Sequence, residues 1–200
     1  MTRLADSLYD LALEHAGVFT SGEASAASIA PATVVMAAKR GLITPLSRGI
    51  YRLVAFPIDE EIAQLWEAVL WPTIRRDPIL DFGYLSHLTA LRLHHRALEY
   101  TPPQISISVP RKMRLRRTPP RWLQVHSADL PPTDVMKVDS GLPVTTLKRT
   151  IEDCVAANVG RRFIVTMLDA VIGGQSPVSG IDEDVALSLR HLLDSKVAVK

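Results

Sequence analysis

Residues 17–53, GVFTSGEASAASIAPATVVMAAKRGLITPLSRGIYRL, decide how the rest of the chain is read. Thr20 is placed to cap a helix, and Glu23, three residues on, completes a capping box in which each side chain bonds the other residue's backbone N–H. The turn falls at Ala27, Ser28 and Ile29. Pro31 then opens a second helix, because its fixed φ and missing N–H suit the first helical position. Lys39 and Arg40 followed by Gly41 close it: cations favour the negative end of a helix, and glycine readily takes the left-handed conformation beyond. Leu42-Ile43 and Ile50-Tyr51-Arg52-Leu53 read as two strands around a basic turn at residues 44–49. Two helices, a tight turn and a hairpin make a winged helix-turn-helix. The same arrangement occurs in domains that never touch nucleic acid, so it is the cations that tilt the reading. Lys39, Arg40, Arg48 and Arg52 suit phosphate contacts, and Thr33 is the residue of the outward helical face able to hydrogen-bond a base edge.

Upstream, Leu4, Leu8, Leu11 and Ala12 recur at helical spacing, so residues 2–14 form an amphipathic helix beneath the pair. Phe19, Ile29, Val34 and Ala37 are the expected interior. Downstream, Phe56-Pro57 marks a boundary. Asp59-Glu60-Glu61 then places acids at the positive end of a helix that runs through Ile62, Leu65, Trp66, Val69 and Leu70 to Trp71-Pro72. The fold class is α+β: a winged helix-turn-helix over residues 1–56, a helical connector over 57–77, and a mixed α+β domain over 78–200.

In that second half, residues 79–85 read as a strand, and Ser86 as the cap of a helix reaching about Ala97. Gln104-Ile105-Ser106-Ile107-Ser108-Val109 and Trp122-Leu123-Gln124-Val125-His126 alternate polar and apolar residues, the mark of strands buried on one face. Between them lie Arg111, Lys112, Arg114, Arg116, Arg117 and Arg121 with no acid, expected as a hairpin tip joining two antiparallel strands. A short strand at 134–138 and a helix capped by Thr145 follow, with further helices at 161–172 and 182–196.

The net charge of +2 is too small to announce a nucleic-acid binder, so binding must come from such local clusters. The basic run has three readings: a second DNA-contacting element, a docking surface for a protein partner, or a solvated tip. A single cysteine, Cys154, excludes an intramolecular disulfide framework and fits a reducing cytoplasm; its apolar helical setting makes it a buried structural thiol. The start of the chain carries Asp6, Asp10 and Glu14 and does not read as a signal peptide, and no charge-free apolar run is long enough to span a membrane.

His87, His94, His95 and His126 invite a metal site. His87 and His94 share a helical face but stand about 10 Å apart, too far for one ion at bonds of about 2.0–2.1 Å. No metal or other cofactor is expected. Ser86-His87 is not read as a nucleophile and base either: neighbours on a helix point about 100° apart, and no acid is placed to orient the imidazole. Arg149 and Asp153, spaced i,i+4, are expected to pair and anchor their helix. No carboxylate cluster or glycine-rich phosphate loop supports an enzyme.

Two stretches taken together, GVFTSGEASA…LITPLSRGIYRL and YLSHLTAL…GLPVTTLKRTIEDCV, resemble the AbiEi-type antitoxins, transcriptional regulators of phage-defence toxin–antitoxin pairs. The resemblance runs from Leu4 to about Asn158 and includes Ser86-His87 with Ala90-Leu91, and Val144-Thr145 with Arg149-Thr150 and Asp153. It implies a non-enzymatic autorepressor whose N-terminal domain binds inverted repeats in its own promoter, as a monomer or an operator-induced dimer. It also implies a C-terminal domain that neutralises, directly or functionally, a cognate AbiEii-type toxin with a nucleotidyltransferase fold. Some relatives with the Arg-Thr…Asp motif continue into a nuclease-like domain, which is not expected here. One departure stands out. The outward helical face, Pro31, Ala32, Thr33, Val35 and Met36, is poor in base-reading groups, and Val35 or Met36 can offer only contact with a thymine methyl. That leaves weak readout, shape readout or two copies on one operator as routes to specificity. A regulator without a toxin partner is the alternative function.

Overall fold

A computed structural model describes residues 2–73, 82–94, 102–115, 117–174 and 181–195. The chain opens with α1 (Thr2–Leu13), then β1 (Val18–Thr20), α2 (Ser21–Ala26), α3 (Pro31–Lys39), β2 (Ile43–Ser47) and β3 (Ile50–Leu53). The capping box is present: Glu23 N donates to Thr20 Oγ1 at 3.1 Å and Thr20 N to Glu23 Oε2 at 2.6 Å. Pro31 opens α3, and Gly41 closes it at φ +71°, with Gly41 N donating to Ala38 O and Leu42 N to Ala37 O, both at 3.0 Å. These two bonds form a Schellman ending, which satisfies the last carbonyls of the helix. The turn after α2 closes the same way, but the left-handed position there is Ser28, at φ +61°.

The hairpin differs from the expectation in length. β2 continues through Thr44, Pro45 and Leu46 to Ser47, leaving Arg48-Gly49 as the tip. Pro45 is tolerated because β2 lies at the edge of the sheet order β1-β3-β2, where a missing N–H costs no ladder bond. β1 has no counterpart in the sequence pattern, because three residues are too few to show a period. Leu8, Phe19, Ile29, Val34, Ala37, Ile43 and Leu53 close one core on the helical side of this sheet.

The other side packs on α4 (Glu60–Leu70), capped by Asp59, whose Oδ1 accepts from Glu61 N at 2.8 Å. Every residue of α4 from Leu65 to Leu70 is buried. The reason is position: the cluster holding Trp66, Val69 and Leu70 takes in Val18 and Ile50 from the first sheet and Leu85, Ile107 and Val144 from a second. α4 is therefore a shared core helix between the two halves.

The second sheet has five strands in the order β6-β5-β4-β8-β7. They are β4 (Tyr84–Leu85), β5 (Ile105–Pro110), β6 (Leu123–Ala128), β7 (Val135–Lys137) and β8 (Pro143–Thr145). The expected strand at 79–85 is confined to β4 within the described residues. β5 and β6 pair in parallel, Ile105 opposite Leu123 through Pro110 opposite Ala128, which corrects the expected hairpin. Alternation looks the same in either direction, so the sequence pattern cannot tell them apart. The basic segment is consequently a crossover that returns the chain along the whole strand length.

The serines of β5 are also buried, Ser106 at 5% and Ser108 at 0% exposure, so the strand is covered on both faces. Ile107 and Val109 meet α4, while Ser106 N donates to Thr89 Oγ1 at 2.9 Å and Ser108 Oγ donates to Ser86 Oγ. Thr89 and Ser86 belong to the covering element, α5 (His87–His94) and the residue before it; the expected extension of α5 to Ala97 lies outside the described residues. α6 (Leu147–Ala156) begins one residue later than expected, capped by Thr146, because Thr145 is the last residue of β8. α7 (Arg161–Ile172) and α8 (Glu183–Ser195) close a third core with α5 and α6 around Leu91, Ile151, Cys154, Met167 and Leu189.

Candidate nucleic-acid interface

α3 divides its residues between core and surface. Val34 and Ala37 point inward, while Ala32, Val35, Met36, Lys39 and the following Arg40 are exposed. At about 100° per residue, positions 32, 35, 36 and 39 form one stripe, apolar along its length and cationic at its end. Thr33 is half-buried at the stripe's margin, and the helix contains no acid.

Arg48 is exposed at the hairpin tip, next to Gly49, whose φ of +84° the tight turn requires. Arg52 is half-buried. Side chains alternate along β3: Tyr51 and Leu53 join the three-helix core, and Ile50 joins the cluster around α4, so Arg52 lies on the α4 face of the sheet. The structure thus gathers Lys39 and Arg40 at the end of α3, presents Arg48 at the tip, and sets Arg52 on the opposite face from the α3 core.

The basic crossover runs against this hairpin. The Arg117 guanidinium lies over the Trp71 ring, 4.0 Å from its centroid. Its Nη2 donates to Trp71 O at 3.1 Å and its Nη1 to Arg48 O at 3.4 Å. Beside it is Glu67, buried on α4: burial pushes its carboxyl up, and Ser47 and Arg117 pull it back down. Arg117 is therefore spent as an anchor that ties the crossover to the end of α4 and to the hairpin tip. Nothing in the spacing of six cations distinguished this one; the signal is the parallel pairing that forces the segment back along the sheet. Arg111 pairs with Asp129 at 3.1 Å with both side chains solvated, and Lys112, Arg114 and Arg121 are exposed. Arg116 lies outside the described residues.

A second polar group sits under α5 and α6. His87, the first residue of α5, has φ +52°, outside the right-handed helical range, and its Nδ1 lies 3.0 Å from Ser86 Oγ despite the adjacency that argued against such a contact. Ser108 Oγ donates to Ser86 Oγ at 2.9 Å, so Ser86 has its own proton left to give to His87 Nδ1. Ser86 directly precedes α5, as expected, and its carbonyl accepts from Ala90 N at 3.2 Å, but its hydroxyl is engaged in this relay and not in capping the first turn. His87 stacks flat on His126, centroids 3.7 Å apart. Burial, then His126 and Arg149, push the His87 imidazole down to about 4. Burial also lowers His126, with Asp153 opposing, and lowers His94, whose Nε2 meets Thr145 O at 2.7 Å.

Arg149 bonds Asp153 Oδ1 through Nε at 2.8 Å, and Asp134 Oδ2 at 2.6 Å and Asp129 O at 3.0 Å through Nη1. The expected i,i+4 pair is there, extended to the segment before β7. With Ser86 at 0% exposure and Arg149 already satisfied, the group is a structural network. Cys154 is buried, and that burial, with Asp153, pushes its thiol up to about 12, which leaves no thiolate for chemistry. Among the described residues, no group of three or more His, Cys, Asp or Glu could hold a metal ion, and no helix is long and apolar enough to cross a membrane.

These features define a class: an α+β chain whose N-terminal unit sets a helix pair and a basic hairpin on a larger mixed sheet. Residues 6–54 match the family model described as transcriptional regulator, AbiEi antitoxin. The matched segment is this N-terminal unit, from within α1 to just past β3, and it supports the resemblance read from the sequence. The family it represents is regulatory. No curated protein matches the chain.

Proposed function

We propose that the chain is a cytoplasmic, non-enzymatic, DNA-binding autorepressor and antitoxin. In this reading the unit over residues 1–56 is a winged helix-turn-helix, α3 is its recognition helix, and β2–β3 is its wing. Thr33 faces a base edge, and Lys39, Arg40, Arg48 and Arg52 contact phosphates, which position the protein without specifying sequence. The observation that carries the proposal is the coincidence of the matched segment with a unit whose exposed helical stripe ends in Lys39 and Arg40 and whose hairpin presents Arg48. Residues 78–200, with the connector 57–77 packed between, form the antitoxin domain that meets a nucleotidyltransferase-like toxin. The cations of the 111–121 crossover, held near the wing by Arg117, form a supporting surface for DNA or toxin.

The test is an electrophoretic shift of the chain's own promoter at two salt concentrations against an unrelated duplex. A selective shift that weakens with salt supports the repressor, since each phosphate neutralised releases counterions. Equal binding to both duplexes refutes sequence reading by α3. Co-expression with a toxin encoded next to the gene tests the other half: unrelieved toxicity refutes the antitoxin role. A regulator without a toxin partner is the second reading, favoured by the match ending at residue 54.

A further inference from the structure

We infer that α3 reads DNA mainly through thymine 5-methyl groups, met in the major groove by Val35 and Met36. This rests on the winged-helix reading above and specifies the operator chemistry it takes.

Val35 and Met36 are 52% and 44% exposed, neighbours on the stripe that also holds Ala32. Two large apolar side chains adjoin on this exposed helical face and are available to a partner. The flanking charges say which. Lys39 and Arg40 close the stripe, Arg48 stands at the hairpin tip, and the helix has no acid, so the face is complementary to a polyanion. A helix lying in the major groove between such phosphate contacts puts its outward side chains on base edges. Before the closing Lys39, the side chains along α3 carry no donor or acceptor except Thr33, half-buried at the margin. The base-edge feature that an apolar side chain recognises is the thymine methyl. The favoured operator therefore has thymines, on either strand, beneath Val35 and Met36, with Thr33 free to hydrogen-bond one adjoining base.

Replacing thymine by deoxyuridine removes the methyl and leaves every hydrogen-bonding group in place. The experiment measures the affinity of the full chain for its own promoter duplex with thymine, and with deoxyuridine at all thymine positions and then singly. The same series is run on Val35→Ala/Met36→Ala, a variant at exposed positions that keeps the helix and its core. The wild type should lose about four-fold per contacted methyl, and the variant should bind the thymine duplex more weakly while scarcely distinguishing thymine from deoxyuridine. Retained promoter selectivity with equal affinity for both duplexes overturns the inference and leaves the repressor reading standing. An equal loss in wild type and variant overturns it too, because the methyls would then act through duplex shape. Absence of selective promoter binding overturns both.

Discussion

Acidification isolates the energetic role of His87. Its imidazole is nearly buried, stacked on His126, and carries its proton-accepting nitrogen against Ser86, so the fold holds it neutral. Its pKa falls from 6.5 to about 4. The folded value lies below the unfolded one, so this group contributes stability that is complete above pH 6.5 and is lost as pH falls from there towards 4. At about 1.4 kcal/mol per unit, the full contribution is about 3 kcal/mol, of which about 2.5 kcal/mol is gone by pH 4.5. That is a large share of a typical domain's stability. The lowered His94 and His126 work in the same direction. The assay is urea unfolding at pH 7.5 and 4.5 of the wild type and of His87→Asn, chosen because asparagine tolerates positive φ. Carboxylate titration is common to both proteins and cancels. The wild type should lose about 2.5 kcal/mol more than the variant across this interval. Equal losses would refute the assignment of His87 as a buried neutral imidazole.

Three further outcomes follow from the same structure. Arg48→Ala with Arg40→Ala should weaken promoter binding and reduce the slope of log affinity against log salt by about 2, read from shifts over a salt series; an unchanged slope would remove both from the phosphate contacts. Ser28→Gly relieves a left-handed serine at φ +61° and should raise stability by up to about 1 kcal/mol in thermal unfolding, the relief exceeding the added chain entropy. Gly17→Ala should destabilise by more than about 2 kcal/mol, because Gly17 has φ +92° and an added Cβ would lie 2.8 Å from Phe56.

What could be read without coordinates was local. The Thr20–Glu23 box, Pro31 at the start of α3, Gly41 at its end, the acids at 59–61 that open α4 and the Arg149–Asp153 pair each depend on residues within four or five positions of one another. Chain geometry over that distance is set by the helix itself, so spacing suffices. The interior set Phe19, Ile29, Val34 and Ala37 was legible for the same reason, as the inward side of short amphipathic elements.

What tertiary structure decided was everything that depends on who lies alongside whom. Alternation marks β5 and β6 as strands but is blind to their direction, and only their parallel pairing turns the basic segment from a tip into a crossover with Arg117 against Trp71 and the hairpin. The serines of β5 look like a solvent face, yet Ser108 gives its hydroxyl to Ser86, just before α5, and Ser106 gives its hydroxyl to Gln124 on β6, and a satisfied hydroxyl is buried at little cost. The left-handed His87, whose Nδ1 lies against Ser86, arises where a strand end is turned into a helix under packing from β5 and β6. The sequence alone determined where most of the helices and the longer strands lie and which cations and apolar groups α3 holds outward. The pairing of strands, the anchoring of the basic segment and the neutral histidine stack came from contacts between residues distant in the chain, whose energies no local pattern encodes.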